Sequence, residues 1–443
     1  MKKNRIPIRI VSSIMLASFL STLIINPTIT FSSSNSSSTV TPLYFGVMLH
    51  AEGYENEASN KTVFEKHANM IRTYASIFEA NGARLTVEAR PEFVQGCIRW
   101  EDNVLKELEN KGHGIGVHAD AGNQPGLTMK QFTQQLKDMK ADIESLGVTV
   151  RHVSGVNSPL DWVKAASDAG FIAVSGVVAY SVKSLPRENV PPEYLYAYDS
   201  TNPGQAHESI PFEADEQLHP WRMESGLNWL NRSATGPAVI LTGDSGKGIN
   251  TLAGDDKLID QEDIDAFIEL LDEHLKYVRP GLVNEYYVAW SVGTEQDPAM
   301  VDAWLKAIKP YVDSGKVVFK TLPEMLDAYL QWEKKDYFAE GTCRPNFEPY
   351  ICIQNPDTRD ANVKITYMLG DGTTKEQTLT VGKQSRYTVA VKDFLGEGDD
   401  ASHDFSAKVD CTNVVKIICE RPVYFNYQQE IDGGHNVMGF TVR

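Results

Sequence analysis

The stretch that decides the fold is "KGHGIGVHADAG", Lys111–Gly122. From Gly114 onward it has the small and apolar residues of a buried strand, and it ends in two polar side chains, His118 and Asp120. Either this pair binds something, or the strand simply ends in polar residues. The choice depends on what the neighbouring strands present at the same edge.

From Leu43 to Trp332 the chain alternates short apolar runs with segments of helical apolar spacing. Strands that alternate with helices in this way predict a parallel sheet. Seven or eight such units over about 290 residues favour a barrel over an open sheet, so we predict an α/β fold, a (β/α)7-8 barrel over residues 43–335. Residues 181–236, rich in Pro, Tyr and Trp, break the alternation and are expected to be an insertion over one face.

The last hundred residues follow a different pattern. Residues 343–443 alternate polar and apolar side chains with a period of two, which predicts a C-terminal antiparallel β-sandwich domain. The polar stretch 333–342 is expected to link the two domains. In an exported chain the four cysteines of this segment predict disulfides, with three pairings open, whereas the fifth, Cys97, is expected to be a small buried side chain. The four are Cys343, Cys352, Cys411 and Cys419.

The N-terminus has the composition of an export signal. Residues 1–30 combine a basic start with the apolar run Ile10–Ile25, which is short for a transmembrane helix. We expect a signal peptide or an N-terminal membrane anchor, followed by a Ser-rich linker over residues 31–42. This predicts a secreted or cell-surface protein, with attachment to the membrane or cell envelope through the N-terminus as one alternative. The net charge of −17 argues against nucleic acid as a partner.

Polar side chains occupy the carboxyl ends of several predicted strands, where the active sites of α/β barrels lie. His50 and Glu52 are two residues apart on the first strand, as are His118 and Asp120 on the third, so each pair shares one face. Two imidazoles and two carboxylates in one space suit a divalent metal ion, with zinc as the expected cofactor. We predict all four side chains as metal ligands, and His50, Glu52 and Asp120 as the catalytic residues.

Other side chains at the predicted mouth of the barrel are candidates for binding the substrate. Glu88 and Arg90 lie at the end of the second strand, Asn157 after the fourth and Asp244 after the sixth. His219 and Trp221 lie in the insertion.

Four segments between Leu43 and Ala328 resemble the polysaccharide deacetylase (NodB-homology) superfamily. "KGHGIGVHADAG" is similar to that family's strand ending in H-S/T-x-x-H, and "FGVMLHAEG" takes the place of its T-F-D-D-G motif. "VRHVSGVNSPLDWVKAASDAGF" resembles the third motif with its following helix, and "KVVFKTLPEMLDAY" the closing strand and helix. The resemblance implies a deacetylase-type barrel and metal-dependent hydrolysis that releases acetate from a glycan.

The resemblance also assigns roles to individual positions. In the family the first Asp of the D-D pair is the general base and the second binds the metal; these positions are Ala51 and Glu52 here. The first His of the second motif matches His118, whereas its second His becomes Gly122. Two of the three family ligands are therefore matched, and strand geometry leaves either Asp120 or His50 as the third.

Three functions are compatible with these patterns. The first is an exported, metal-dependent deacetylase of an N- or O-acetylated polysaccharide or surface glycan. The second is a metal-independent glycoside hydrolase that uses a pair from the carboxylates Glu52, Glu88, Asp120 and Asp244. The third is a non-catalytic glycan-binding or adhesion protein on a degenerate barrel, with stacking surfaces from the aromatic residues of the insertion. These aromatic residues are Tyr194, Tyr196, Tyr198, Trp221 and Trp229.

Metal content separates the first function from the second. The C-terminal segment resembles a β-sandwich module of secreted and cell-surface proteins, and it contains no catalytic constellation.

Overall fold

The computed structural model describes residues 40–441 except 53–55, 203–217, 234–235, 244–247, 254–256, 281, 334–335, 413–414, 416 and 428–429. The predicted signal or anchor segment, residues 1–30, and nearly all of the Ser-rich linker lie outside the described residues. Among the helices that are described, none is both long enough and apolar enough to cross a bilayer.

The α/β part of the chain alternates strands and helices as the sequence predicts. Its strands are β1 (Leu43–Ala51), β2 (Thr86–Ala89), β3 (Gly114–His118), β4 (His152–Ser154), β5 (Ala173–Val174), β6 (Trp221–Met223), β7 (Ala238–Ile240), β8 (Glu285–Ser291) and β9 (Val317–Phe319). Its helices are α1 (Lys61–Ala80), α2 (Pro91–Arg99), α3 (Val104–Asn110), α4 (Met129–Glu144), α5 (Trp162–Asp168), α6 (Leu195–Asp199), α7 (Gln261–Leu275), α8 (Pro298–Asp313) and α9 (Leu322–Trp332).

Several helices begin where the local sequence supplies a cap. Thr128, Asp260 and Thr321 each accept a hydrogen bond from the third helical amide, and the side chain at that position reaches back to the cap. Such reciprocal capping boxes satisfy amides that have no partner inside the helix. They fix the starts of α4, α7 and α9 and so the length of the turn that precedes each helix.

The sheet has the order β6-β7-β5-β4-β3-β2-β1-β8, with β9 paired to the start of β1. Every ladder is parallel except that between β6 and β7. The predicted mixed α/β class is confirmed. Within the described residues no ladder joins β7 to β8, and the Tyr287 hydroxyl spans this seam by contacts with Leu241 O (3.2 Å) and Gly176 N (2.8 Å).

The two faces of the sheet have different neighbours. On β1, Val47 and Leu49 belong to the large core that packs against the helices, while Met48 belongs to a second, interior cluster with Leu322 and Leu326 of α9. Helix α9 fills the interior near the starts of the strands, so the inward side chains at their carboxyl ends are left to form a site.

The insertion at 181–236 is less separate than the sequence suggests. It supplies α6 and the antiparallel edge strand β6, and the buried side chains of Tyr194, Leu218 and Trp229 join the main core. The described part of the insertion is therefore an integral part of the barrel wall, because its apolar residues complete the packing beside β7.

The C-terminal part is a β-sandwich, as predicted. One sheet has the order β13-β12-β15-β10-β18 and the other β14-β11-β16-β17. The strands are β10 (Asp336–Phe338), β11 (Phe347–Asn355), β12 (Ala361–Leu369), β13 (Thr374–Val381), β14 (Ser385–Ala390), β15 (Phe405–Cys411), β16 (Ile418–Tyr427), β17 (Ile431–Met438) and β18 (Phe440–Thr441), with the short helix α10 (Val391–Leu395) after β14. Strand β10 lies inside the stretch expected to be a linker, so the sandwich begins directly after the end of α9.

The disulfides predicted among the four cysteines of this domain are wrong, because Cys343, Cys352 and Cys419 are free thiols. Register explains one of the missing pairs. Cys419 on β16 lies opposite Ile353 of β11, whereas Cys352 lies opposite Glu420. Neighbouring positions on a strand point to opposite faces of the sheet, so Cys352 and Cys419 cannot meet. Cys97 is buried, as expected.

Candidate metal centre

His50 and Glu52 stand at the carboxyl end of β1. His50 is the last inward-facing residue of the strand, and its carbonyl accepts a hydrogen bond from Val292 N at 3.0 Å. Glu52 follows the strand, and its carbonyl accepts from the Ser291 hydroxyl at 2.6 Å. The end of β8 thus holds the backbone from which both side chains project.

His118 and Asp120 reach the same space by a turn rather than by strand alternation alone. Strand β3 ends at His118, and Asp120 has a φ of 45°, in the left-handed region that Asp tolerates better than most residues. Ala119 and Ala121 still donate to the carbonyls that continue β4. Gly155 lies against this turn, where a Cβ would come within 2.7 Å of Asp120 N, so only glycine fits beside it.

The structure brings the four predicted side chains together. His118 Nε2 lies 3.0 Å from Glu52 Oε2 and 3.2 Å from Asp120 Oδ1, and His50 Nδ1 lies 3.7 Å from Glu52 Oε1. The two imidazole rings stack with their centroids 4.0 Å apart. Donor atoms of His50, Glu52 and His118 all lie within 4.8 Å of one another, which makes these three the candidate metal-binding group of the described residues.

The electrostatics of the cluster favour a positive charge between the carboxylates. Burial lowers the pKa of His118, but hydrogen bonds and charge interactions with Asp120 and Glu52 outweigh it and raise the pKa to about 10. Burial raises the pKa of Glu52, yet its hydrogen bonds with His118 and His50 hold that pKa well below the usual range. The site is therefore built to hold carboxylates as anions around a cation.

The remaining ring nitrogens of the two histidines face a buried polar layer. His118 Nδ1 lies 2.7 Å from the Ser154 hydroxyl, which donates to Glu88 Oε2, and His50 Nε2 lies 3.3 Å from the same carboxylate oxygen. Glu88 Oε1 accepts from the Ser175 hydroxyl at 2.5 Å.

His152 Nε2 lies 3.2 Å from Glu88 Oε1 on the other side. His152, Ser154 and Ser175 are not among the site residues that the sequence patterns predict. The segment "VRHVSGV" carries a usable signal for two of them, because His152 and Ser154 are polar residues two apart at the end of a predicted strand.

Glu88 does not have the position expected of a substrate-binding residue. Its side chain is 0% exposed, beneath His50 and inside the sheet. The reason is its place on β2 opposite His50, where the inward direction leads into the barrel interior and not to its mouth.

Arg90 and Asn157 are found close to the cluster. Arg90 Nη1 lies 3.3 Å from Asp120 Oδ2 and its Nε lies 3.3 Å from Glu92 Oε2. Asn157 is buried, forms a side-chain hydrogen bond with Tyr180, and its Oδ1 atom has no hydrogen-bond partner in the described part of the chain. Tyr180 lies just before the insertion and is not among the predicted site residues.

Two further residues predicted to bind substrate, His219 and Trp221, are buried in the wall of the barrel. His219 is buried, and its Nδ1 contacts Val283 O at 3.1 Å. Trp221 is buried as well, donates to Trp229 O at 3.0 Å and lies under the Arg232 guanidinium. Both side chains are used in packing rather than in presenting a stacking surface, because β6 belongs to the barrel wall. Asp244 lies outside the described residues.

Comparison with known proteins gives similarity in fold. No family model and no curated protein sequence matches the chain. A protein assigned as a polysaccharide deacetylase from Mycobacterium smegmatis is 10% identical with a TM-score of 0.44, covering 66% of this chain and 91% of its own. Another so assigned, from Pseudomonas aeruginosa, is 10% identical with a TM-score of 0.43, covering 64% and 89%.

Puue allantoinase is also similar, at 12% identity and a TM-score of 0.42, covering 64% of this chain and 88% of that one. At these identities and TM-scores the likeness concerns the fold. The similar structures include proteins assigned as polysaccharide deacetylases, the family that the sequence resembles. The chemistry of the site depends on its own residues.

Proposed function

We propose that the chain is a divalent-metal-dependent hydrolase that removes acetyl groups from a polysaccharide or surface glycan. The observation that carries the proposal is the group of His50, Glu52 and His118 at the carboxyl ends of β1 and β3. Two imidazoles and one carboxylate are the protein ligands of several catalytic zinc sites.

The donor atoms of this group fit a metal ion. Bonds of about 2.0–2.1 Å in tetrahedral geometry place ligand atoms about 3.3 Å apart. His118 Nε2 lies 3.0 Å from Glu52 Oε2 and His50 Nδ1 lies 3.7 Å from Glu52 Oε1, and one donor atom of each of the three residues lies within 4.8 Å of the other two. Each histidine also has a polar contact on its other ring nitrogen, with Ser154 or with Glu88, as metal-binding histidines usually have. The donor types suit zinc among other divalent ions.

A bound metal would supply a Lewis acid that polarises the acyl carbonyl and makes the attacking water more acidic. Asp120 remains outside the three-donor group and is the side chain that we assign as the proton acceptor. Burial raises the pKa of Asp120, but the His118 hydrogen bond and charge, with a smaller contribution from Arg90, lower it below its usual value. Arg90 also orients the Asp120 carboxylate through the contact at 3.3 Å.

The substrate and the location are part of the same proposal. The four sequence segments that resemble the deacetylase family support an acetylated glycan as substrate. The basic and apolar N-terminus supports export, and the C-terminal sandwich would serve as an accessory or attachment module outside the cytoplasmic membrane.

The glycoside hydrolase alternative has less support from the site. That reaction needs one carboxyl group with a raised pKa to act as general acid. Glu52, Glu88 and Asp120 all have lowered pKa values, because histidines surround them. Asp244 cannot contribute to this comparison, since it lies outside the described residues.

The glycan-binding alternative relied on exposed aromatic residues of the insertion. Tyr194, Trp221 and Trp229 are buried, and Tyr198 packs against the core, whereas Tyr196 is half exposed. A row of exposed stacking rings is therefore not formed by these residues.

Metal analysis of the purified protein tests the proposal. We expect close to one divalent ion per chain in the wild type, its loss in His118→Ala, and its retention in His435→Ala, which removes an exposed histidine of the sandwich. Acetate release from acetylated oligosaccharides and acetylxylan should follow the metal content. Equal metal content in all three proteins, or acetate release that survives chelation, would overturn the proposal.

A further inference from the structure

We propose that Glu88 is a positioning residue that fixes the tautomers of both candidate histidine ligands at once. The inference rests on the proposed metal site and goes beyond it, because Glu88 would act through His50 and His118 without touching metal or substrate. Its starting point is that a single carboxylate oxygen, Glu88 Oε2, is the common end of the contacts made by the outer nitrogens of both rings.

The connection to His118 is a chain of two hydrogen bonds. The Ser154 hydroxyl donates its proton to Glu88 Oε2, so its oxygen is free to accept from His118 Nδ1 at 2.7 Å. A hydroxyl that donates to a carboxylate can only accept from the ring. In the neutral ring this places the proton on Nδ1 and leaves Nε2, 3.0 Å from Glu52, as the nitrogen that can bind a metal.

The connection to His50 is direct. His50 Nε2 lies 3.3 Å from Glu88 Oε2, and an ionised carboxylate accepts hydrogen bonds but cannot donate one. This contact lacks hydrogen-bond geometry, so it is the charge of the carboxylate that favours the proton of the neutral ring on Nε2 and leaves Nδ1, on the side of Glu52, as the nitrogen that can bind a metal. At 3.3 Å this contact is looser than the one that reaches His118 through Ser154.

Glu88 is itself held in a fixed orientation. Its other oxygen accepts from the Ser175 hydroxyl at 2.5 Å and faces His152 Nε2 at 3.2 Å. Gly116 makes this possible, because a Cβ there would lie 2.3 Å from His152 Nε2 and displace the ring. With its side chain 0% exposed, Glu88 has no water to compete for these contacts.

The consequence is that two ring nitrogens on different strands offer lone pairs to one point. His50 uses Nδ1 and His118 uses Nε2. If both rings had the same tautomer, one of them would carry a proton on the nitrogen that has to bind the metal. Outer contacts of this kind change metal affinity by about 10–100-fold when they are removed.

The test compares Glu88→Gln, Ser154→Ala and the double variant, with Glu285→Gln as the matched control. Glu285 is likewise 0% exposed within the barrel, and its described hydrogen bond is with Thr242 N rather than with a histidine. Zinc affinity is measured by competition with a chelator. We expect Glu88→Gln to lose about 10–100-fold, Ser154→Ala to lose less, and the double variant to lose little more than Glu88→Gln alone.

A second readout does not depend on metal. In the metal-free wild type, 15N chemical shifts should show a protonated Nδ1 on His118 and a protonated Nε2 on His50 when each ring is neutral. Glu88→Gln should mix the tautomers, and Glu285→Gln should not. Unchanged tautomers and zinc affinity in Glu88→Gln, or fully additive losses in the double variant, would overturn the inference. A wild type that binds no zinc would instead overturn the proposed function, while the tautomer measurement would still test Glu88.

Discussion

Glu88 and Glu285 are both completely buried in the same barrel, but their surroundings are opposite. Glu88 lies among hydroxyls and imidazoles that can donate to both of its oxygens. Glu285, at the seam beside β7, accepts one backbone hydrogen bond from Thr242 at 3.1 Å, and its Oε2 has no hydrogen-bond partner in the described part of the chain.

The pKa values move in opposite directions for this reason. Burial raises the pKa of both carboxyl groups, but hydrogen bonds with His152 and His50 overcome it at Glu88 and hold that pKa well below its usual range. At Glu285 nothing of comparable strength opposes burial, and the pKa rises to about 8. Neighbouring donors, and not depth alone, therefore decide whether a buried carboxyl group is an anion.

The largest expected effect comes from removing the buried anion. Glu88→Leu leaves His50, His152 and two serine hydroxyls without their acceptor, and breaking such a buried pair costs about 3–5 kcal/mol. Glu285→Leu leaves one backbone amide unsatisfied and should cost about 1–3 kcal/mol. Urea unfolding at pH 7 measures both. If Glu285→Leu lowers the free energy of unfolding as much as Glu88→Leu or more, the contrast between the two buried glutamates is wrong.

The second effect concerns pH. The unfolded chain ionises Glu285 near 4.5, whereas the folded protein keeps its proton up to about 8. The folded state therefore binds more protons between these values, and the free energy of unfolding should fall as pH rises from about 4.5 to about 8, by on the order of a few kcal/mol. Glu285→Gln should lose this part of the slope. Superimposable stability–pH curves of the two proteins would show that Glu285 is ionised in the folded state.

A third, smaller effect should follow from crowding His152. In Gly116→Ala the new Cβ would lie 2.3 Å from His152 Nε2, so the ring must move away from Glu88. We expect a loss of about 1–3 kcal/mol in the free energy of unfolding. The control is Gly382→Ala in the sandwich, where the Cβ would meet only the Ser385 hydroxyl at 3.3 Å. Equal effects at the two positions would mean that the His152 contact is unimportant.

The smallest effect is expected for Ser175→Ala, which removes one hydrogen bond from Glu88 Oε1 while His152 still faces that oxygen. The loss should be about 1 kcal/mol. Repeating the substitution in Glu88→Gln separates the contact from other roles of Ser175, since the loss should shrink when the carboxylate is absent. An undiminished loss would assign Ser175 to packing instead.

The same contrast shows how far sequence reasoning can reach. The spacing of His50 with Glu52 and of His118 with Asp120 was sufficient to predict the residues that the structure brings together, because each pair lies at the end of one strand. Glu88 was misplaced at the mouth, since the sequence shows that it ends a strand but not that its side chain lies beneath His50. The number of thiols predicts disulfides, whereas the register of β11 and β16 places Cys352 and Cys419 on opposite faces of their sheet.

The sequence by itself determined the alternation of strands and helices, the change to a period of two near residue 340, and the two polar pairs that close β1 and β3. These are local properties, fixed by the period of each element and by its caps. Only the tertiary structure decided that Glu88, Ser154, Ser175 and His152 form one layer beneath the two histidines. The reason is that these residues come from β2, from β4 and from the position after β5, which helical connections separate along the chain. The curl of the sheet, with a glycine at position 116 to admit His152, brings them within hydrogen-bonding distance.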